Sequence, residues 1–236
     1  KMIRSAFLIT AALLLSFTIH AQYDGVVVSQ VKLMPGQWEN FFELEKEIEA
    51  FHQARVDRGI ITSRFVYRNI YAGDDDPYHF IVVTHFDDFK KSEDAFPKEM
   101  IDEFFSKEEQ AAYWEKAPKV MKVTKREFFD KVAGSETFKP FKYLQITQFY
   151  VKPAERWTFE KQRKEILQPH FSEVVSQGHH AGWSFWKKDP SDKKFQYVSV
   201  NTYEEYGDWK NSVPHEDIFK KVFPDKDFNK TRNEVM

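Results

Sequence analysis

The sequence predicts an α+β chain made of two tandem copies of one plan, each in the order βαββαβ. Three observations predict it: a residue pattern that recurs at an offset of about 118 residues, apolar runs bounded by turn residues, and longer stretches whose apolar positions return every three to four residues. Composition permits two such cores. Of 236 residues, 42% are hydrophobic and 31% charged, with 8 Gly and 10 Pro, which excludes disordered and collagen-like classes. The 35 basic and 37 acidic side chains carry no long run of one sign, so there is no field to hold nucleic acid or an anionic membrane.

The first 21 residues stand apart from the repeat. Lys1 and Arg4 precede an apolar run over residues 6–19 that ends at Ala21, which predicts a signal peptide cleaved before Gln22. The run is about 14 residues, short of the roughly 20 that a membrane span needs, so no stable membrane anchor is expected after cleavage. There is no Cys, which excludes disulfides, thiolate metal sites, a thiol nucleophile and a lipid-bearing cysteine. These features predict a bacterial protein, periplasmic or secreted. The expected organisation is residues 22–130 for the first repeat, 131–141 for a linker and 142–236 for the second repeat.

Each element of the repeat has its own signal. In the first copy, residues 26–33 are β-branched and apolar, and Pro35-Gly36 ends that strand and opens a helix. Trp38, Phe41, Leu44, Ile48, Phe51 or His52, and Val56 then mark one face of a helix of some 20 residues, which Gly59 stops. Residues 62–70 and 79–86 read as strands joined across the turn Ala72-Gly73-Asp74-Asp75-Asp76-Pro77. Ser106 and Glu109 have capping-box spacing and start a second helix, after which residues 120–128 supply a closing strand. The second copy follows with a strand at 143–151, a helix from 154 to about 177, and strands at 181–187 and 195–203. Pro35, Phe41, Ile48, His52 and Val56 match Pro153, Phe159, Ile166, His170 and Val174. Only the polar stretch 228–236 is left for its closing strand. The βαββαβ order is the ferredoxin-like motif.

With these elements and their duplication, the chain resembles the dimeric α+β barrel superfamily, which includes antibiotic-biosynthesis-type monooxygenases, here as tandem fused copies. The resemblance spans nearly all of the chain after residue 21. It implies a pseudo-dimeric α+β barrel in which two four-stranded sheets face each other and helices cover them outside. It rests on element order, not on a catalytic motif, so it bears on fold more than on activity. The related haem-peroxidase families with two ferredoxin-like halves direct attention to a haem-ligating His and, in one of them, a G-x-x-D-G motif; Gly73-Asp74-Asp75-Asp76 does not match that motif.

No G-x-S-x-G elbow, H-E-x-x-H, phosphate-binding glycine loop or dinucleotide fingerprint occurs, so hydrolase, zincin and Rossmann chemistry are unsupported. His52 and His170, each four residues from apolar positions on both sides, are expected to point at the sheet. They are the candidate catalytic residues, either hydrogen-bonded core histidines, or haem or metal ligands, or general bases. Pro169 is expected to disturb the helix beside His170. Strand parity places Val198 and Val200 on one face and Tyr197, Ser199 and Asn201 on the other. If the aliphatic face packs on helices, the second set lines the barrel interior, with Gln148, Thr147, Trp183 and Trp186 as further ligand-binding candidates. His179-His180 read as loop or surface residues, and no metal site is expected. Three functions compete: a secreted small-molecule-binding barrel with cofactor-free oxygenase-like chemistry on an apolar or aromatic compound, a haem-binding redox protein, and a non-catalytic extracellular interaction protein.

Overall fold

The computed structural model describes residues 8–10, 25–135, 137–189 and 196–235. The expected cleavage point and most of the signal segment lie outside these residues; within residues 1–21 only the short strand β1 (Leu8–Thr10) is described. The chain divides into two compact units, residues 21–129 and residues 130–236, and β1 belongs with the second. Among the described residues no helix is long and apolar enough to cross a membrane.

The first unit contains β2 (Gly25–Leu33), α1 (Trp38–Glu47), α2 (Glu49–Asp57), β3 (Ser63–Asn69), β4 (Phe80–Phe86), α3 (Lys98–Phe104), α4 (Lys107–Val120) and the start of β5 (Met121–Gly134). Its strand order is β3-β4-β2-β5, with β4 antiparallel to both β3 and β2, which is the ferredoxin-like order. The core joins Val31, Leu33 and Phe80 of the sheet to Phe41 and Leu44 of α1 and to Ala117 and Val120 of α4. Each large apolar side chain buried there contributes roughly 1.5–3 kcal/mol relative to exposure. The single helix expected over this stretch is broken at Ile48, whose ψ of 4° leaves the α region. Gly59, at φ +66°, ends α2 as a left-handed residue that a Cβ would strain. Ser106 and Glu109 form the reciprocal capping box that starts α4.

The second unit contains β6 (Tyr143–Phe149), α5 (Arg156–Gln162), a π-helical turn (Arg163–Leu167), α6 (Gln168–Ser176), β7 (Gly182–Asp189), β8 (Tyr197–Tyr203), α7 (His215–Val222) and α8 (Phe228–Val235). β8 is antiparallel to both β7 and β6, and β1 pairs with β6, Leu8 opposite Gln145 and Thr10 opposite Tyr143. Pro169 sits in the first turn of α6, where its missing N–H is least costly.

Two expected boundaries are corrected. The polar stretch left for a closing strand, expected to be short or absent, forms over 228–235 the helix α8: the Asp227 side chain accepts from the Lys230 backbone N–H at 2.6 Å, and Phe228 packs on Phe219 with ring centroids 5.5 Å apart. Polar residues with a single apolar anchor suit a capped surface helix better than a strand. Likewise β5 runs on to Gly134 instead of ending at residue 128. Ala133 and Val132 join the core around Trp183 and Phe185, and the Ser135 and Lys139 N–H groups donate to the Trp183 and Ala181 carbonyls, both at 2.8 Å. Residues expected as a linker thus donate their backbone N–H groups to carbonyls of β7 and of the residue just before it.

Candidate ligand site

The second unit brings most of the predicted residues onto one face of its sheet, but not the expected face. Tyr197 is fully buried against α5: its ring lies 5.2 Å from that of Phe159, and its hydroxyl donates to Glu160 at 2.6 Å. Because alternate residues share a face, Ser199 and Asn201 also look toward the helices, with Trp183 opposite Asn201, and Thr147 opposite Ser199, in register. Gln148 and Trp186 pair with Val198 and lie on the other face, where the Trp186 indole N–H donates to Ser184 at 2.8 Å. The parity split was read correctly and its direction was inverted. The layer between sheet and helices is filled by Trp183, Phe185, Tyr197, Phe159 and Phe171, and rings bury more surface there than the small Val198 and Val200 would.

A chain of rings runs along this helix-facing side. Phe171 of α6 stacks on Trp183 with centroids 4.9 Å apart and planes at 10°, and Trp183 donates its indole N–H to Ser199 at 2.9 Å. His180 stacks on Phe171 with centroids 5.9 Å apart and meets Tyr203 edge-on at 5.1 Å. It lies in the loop expected from sequence but is buried, since these two rings close over it. His170 points inward as its spacing predicts, with its Nε2 3.0 Å from Nδ1 of His215. His215, half-buried at the start of α7, is where this chain of rings meets solvent.

Electrostatics keep the group neutral. Burial and the neighbouring histidine bring His170 down to about 4; burial and the surrounding histidines bring His180 down to about 4, and His215 is lowered too. All three are uncharged at neutral pH. Three buried polar atoms of this face have no hydrogen-bond partner among the described residues: His170 Nδ1, His180 Nδ1 and Asn201 Oδ1. Arg163 is also buried here, its guanidinium 3.7 Å over the Phe159 ring. Sequence reasoning missed His215, Phe171 and Arg163. His215 was within reach of a periodicity argument, because His215, Ile218, Phe219 and Val222 share one helix face.

His52, in the first unit, is buried as expected, but its partner is on its own helix: its Nδ1 lies 2.8 Å from Nη1 of Arg55. Burial, with Arg64 and Arg55 nearby, holds it down to about 2. An axial haem ligand needs a ring nitrogen facing an open slot; His170 Nε2 is engaged with His215, and the ring is flanked by Phe171 and Phe219, at 5.4 and 6.1 Å. Among the described residues no group of three or more His, Cys, Asp or Glu is placed to hold a metal ion. Two clefts open on outer helix surfaces, one of 540 Å³ beside α5 and α8 and one of 410 Å³ at Glu43, Lys46 and Glu47. Neither includes a residue predicted from sequence.

No protein-family model matches the sequence, and no curated protein matches it. Solved structures do. A candidate monooxygenase from Fusobacterium nucleatum covers 90% of this chain and 88% of its own at 11% identity, with a TM-score of 0.53. Another from Lactobacillus acidophilus covers 86% and 89% at 11% identity, with a TM-score of 0.51. At these identities the likeness is one of fold, α+β with ferredoxin-like halves. Within this fold the chain carries tandem ferredoxin-like halves, and chlorite dismutase from Candidatus Nitrospira defluvii is a more distant match, at 8% identity over 84% of this chain and 94% of that one, with a TM-score of 0.49.

Proposed function

We propose that this chain is a secreted small-molecule-binding protein of the dimeric α+β barrel fold, whose second half takes an aromatic compound bearing a hydroxyl or carbonyl group. The observation that carries the reading is the set of unpartnered buried atoms, His170 Nδ1, His180 Nδ1 and Asn201 Oδ1, beside the aromatic wall of Phe171 and Trp183. Buried polar atoms are rarely left without a hydrogen-bond partner, and a hydroxyl-bearing ring supplies both the missing donor and the stacking surface. Entry is at His215, the outermost ring, so binding requires α7 to yield.

The chemistry open to such a site is orientation of an acidic hydroxyl or methylene. A neutral buried imidazole accepts a hydrogen bond from that group, and the anion left when the proton passes to solvent is itself the reductant for O₂. Conversion of R₂CH₂ and O₂ to R₂C=O and H₂O balances without an external electron donor, which is the oxygenase-like activity we assign to this half. The test is a titration of the full chain with phenols, hydroquinones and anthrones, read by thermal shift, Trp fluorescence and O₂ uptake. A native-state ligand raises Tm, and His170→Asn is expected to weaken that response. Absence of any shift or fluorescence change across the panel refutes ligand binding. Binding without O₂ uptake refutes the oxygenase assignment alone.

A further inference from the structure

The first unit holds a buried cation that no carboxylate among the described residues balances. Arg55 of α2 is 1% exposed, and its contacts among the described residues are the Nδ1 of His52 at 2.8 Å and two rings, Phe96 at 4.1 Å and Phe51 at 5.8 Å from the guanidinium carbon. Its Nε is buried without a hydrogen-bond partner. The neighbouring Arg64 is different: Glu45 holds it from both carboxylate oxygens, at 2.7 and 3.0 Å. Stacking on Phe96 offsets part of the cost of burying Arg55, but a buried charge is ordinarily paired and its donors filled. Burial and Arg64 both depress Arg55, to about 10, and no acid raises it. The duplicated half does not repeat the feature, since the position matching Arg55 is Glu173, which pairs with Lys221.

We propose that Arg55 is the anchor of an anion site for a small aromatic carboxylate, with the carboxylate on the unpartnered Nε edge and the ring against Phe96. The geometry favours an organic acid over an inorganic ion because the guanidinium edge is bordered by aromatic carbon. Phe96 is the cover: its ring lies over Arg55 yet is 55% exposed, on the bend that precedes α3, so its displacement opens the site without unfolding a helix. This site is separate from the histidine face of the second half and does not depend on it.

The test compares benzoate with its neutral counterpart benzamide and with inorganic sulfate, on the full chain in low-salt buffer, by calorimetry and thermal shift. Benzoate is expected to give saturable binding, and to raise Tm by roughly 5–10 °C at about one hundred times its Kd. Benzamide is expected to give neither. Arg55→Gln should abolish the benzoate response, and Arg55→Lys should weaken binding about tenfold because a point charge replaces the planar fork. Should Arg55→Gln fail to fold, Phe96→Ala at the exposed cover still decides, with an expected loss of about tenfold in benzoate affinity. Equal responses to benzoate and benzamide, an Arg55→Gln protein that binds benzoate as the parent does, or no response to benzoate overturn the proposal. A response to sulfate alone overturns the assignment to a carboxylate.

Discussion

Tyr197 shows how one side chain ties sheet to helix. Its ring is fully buried beside Phe159 and Phe185, and its hydroxyl reaches Glu160, which also pairs with Lys187 at 3.1 Å. The buried hydroxyl is pushed well above the usual phenol range by burial and then by this carboxylate, so it stays a donor. Tyr197→Phe is therefore expected to cost about 1–2 kcal/mol, seen as a lower urea midpoint with an unchanged m-value. A midpoint equal to that of the parent would show that the hydrogen bond contributes nothing. At this scale the sequence was only half legible. The inward aim of His52 and His170 followed from spacing alone, because a helix face is a local property. Their partners did not follow. His215 lies 45 positions from His170 and meets it only when α7 packs on α6. The direction of strand parity was also beyond reach, since it depends on whether rings or valines fill the deeper layer.

At the scale of elements, local chemistry was the most readable. The Ser106 and Glu109 spacing alone identified the start of α4, and both halves of the box are formed: Glu109 N–H to the Ser106 hydroxyl at 3.2 Å, and Ser106 N–H to the Glu109 carboxylate at 2.8 Å. Ser106→Ala is expected to cost about 1 kcal/mol and to fray α4, which thermal unfolding and amide exchange over residues 107–110 will register. Unchanged exchange there would deny the cap its role. The ends of strands were less readable because pairing overrides propensity. Polar Lys131 gives no strand signal, yet β5 continues through it since the partner strand β7 accepts the backbone. For α8 the deciding residue is Asp227, whose capping role becomes visible only once the chain has already turned.

For the molecule as a whole, the buried histidines set the response to acid. His52 is held down to about 2 and His170 and His180 to about 4, whereas an unfolded histidine titrates near 6.5. Above that value neither state takes up protons at these sites. As pH falls below about 6.5 the unfolded chain binds protons that the native chain refuses, so stability is lost, by up to about 1.4 kcal/mol per pH unit for each histidine. For His170 and His180 the loss stops near pH 4, where the native rings also charge. Urea midpoints measured from pH 7.5 to 4 should be flat at first and then decline; a curve level to pH 4 would contradict the assigned burial. The duplication, which the sequence revealed through matched turns and helix faces, also has a physical echo in both copies. The long helix is interrupted at matching places, at Ile48 in one half and within Arg163–Leu167 in the other, around Ile166. A π-helical turn accommodates one residue more than an α-helical turn, and each residue advances a helix by about 100°. Deleting Glu165 should thus rotate one side of the break against the other, carrying either Phe159 or His170 away from the sheet. That surplus residue acts as the angular setting that lets two ring-bearing faces aim inward at once.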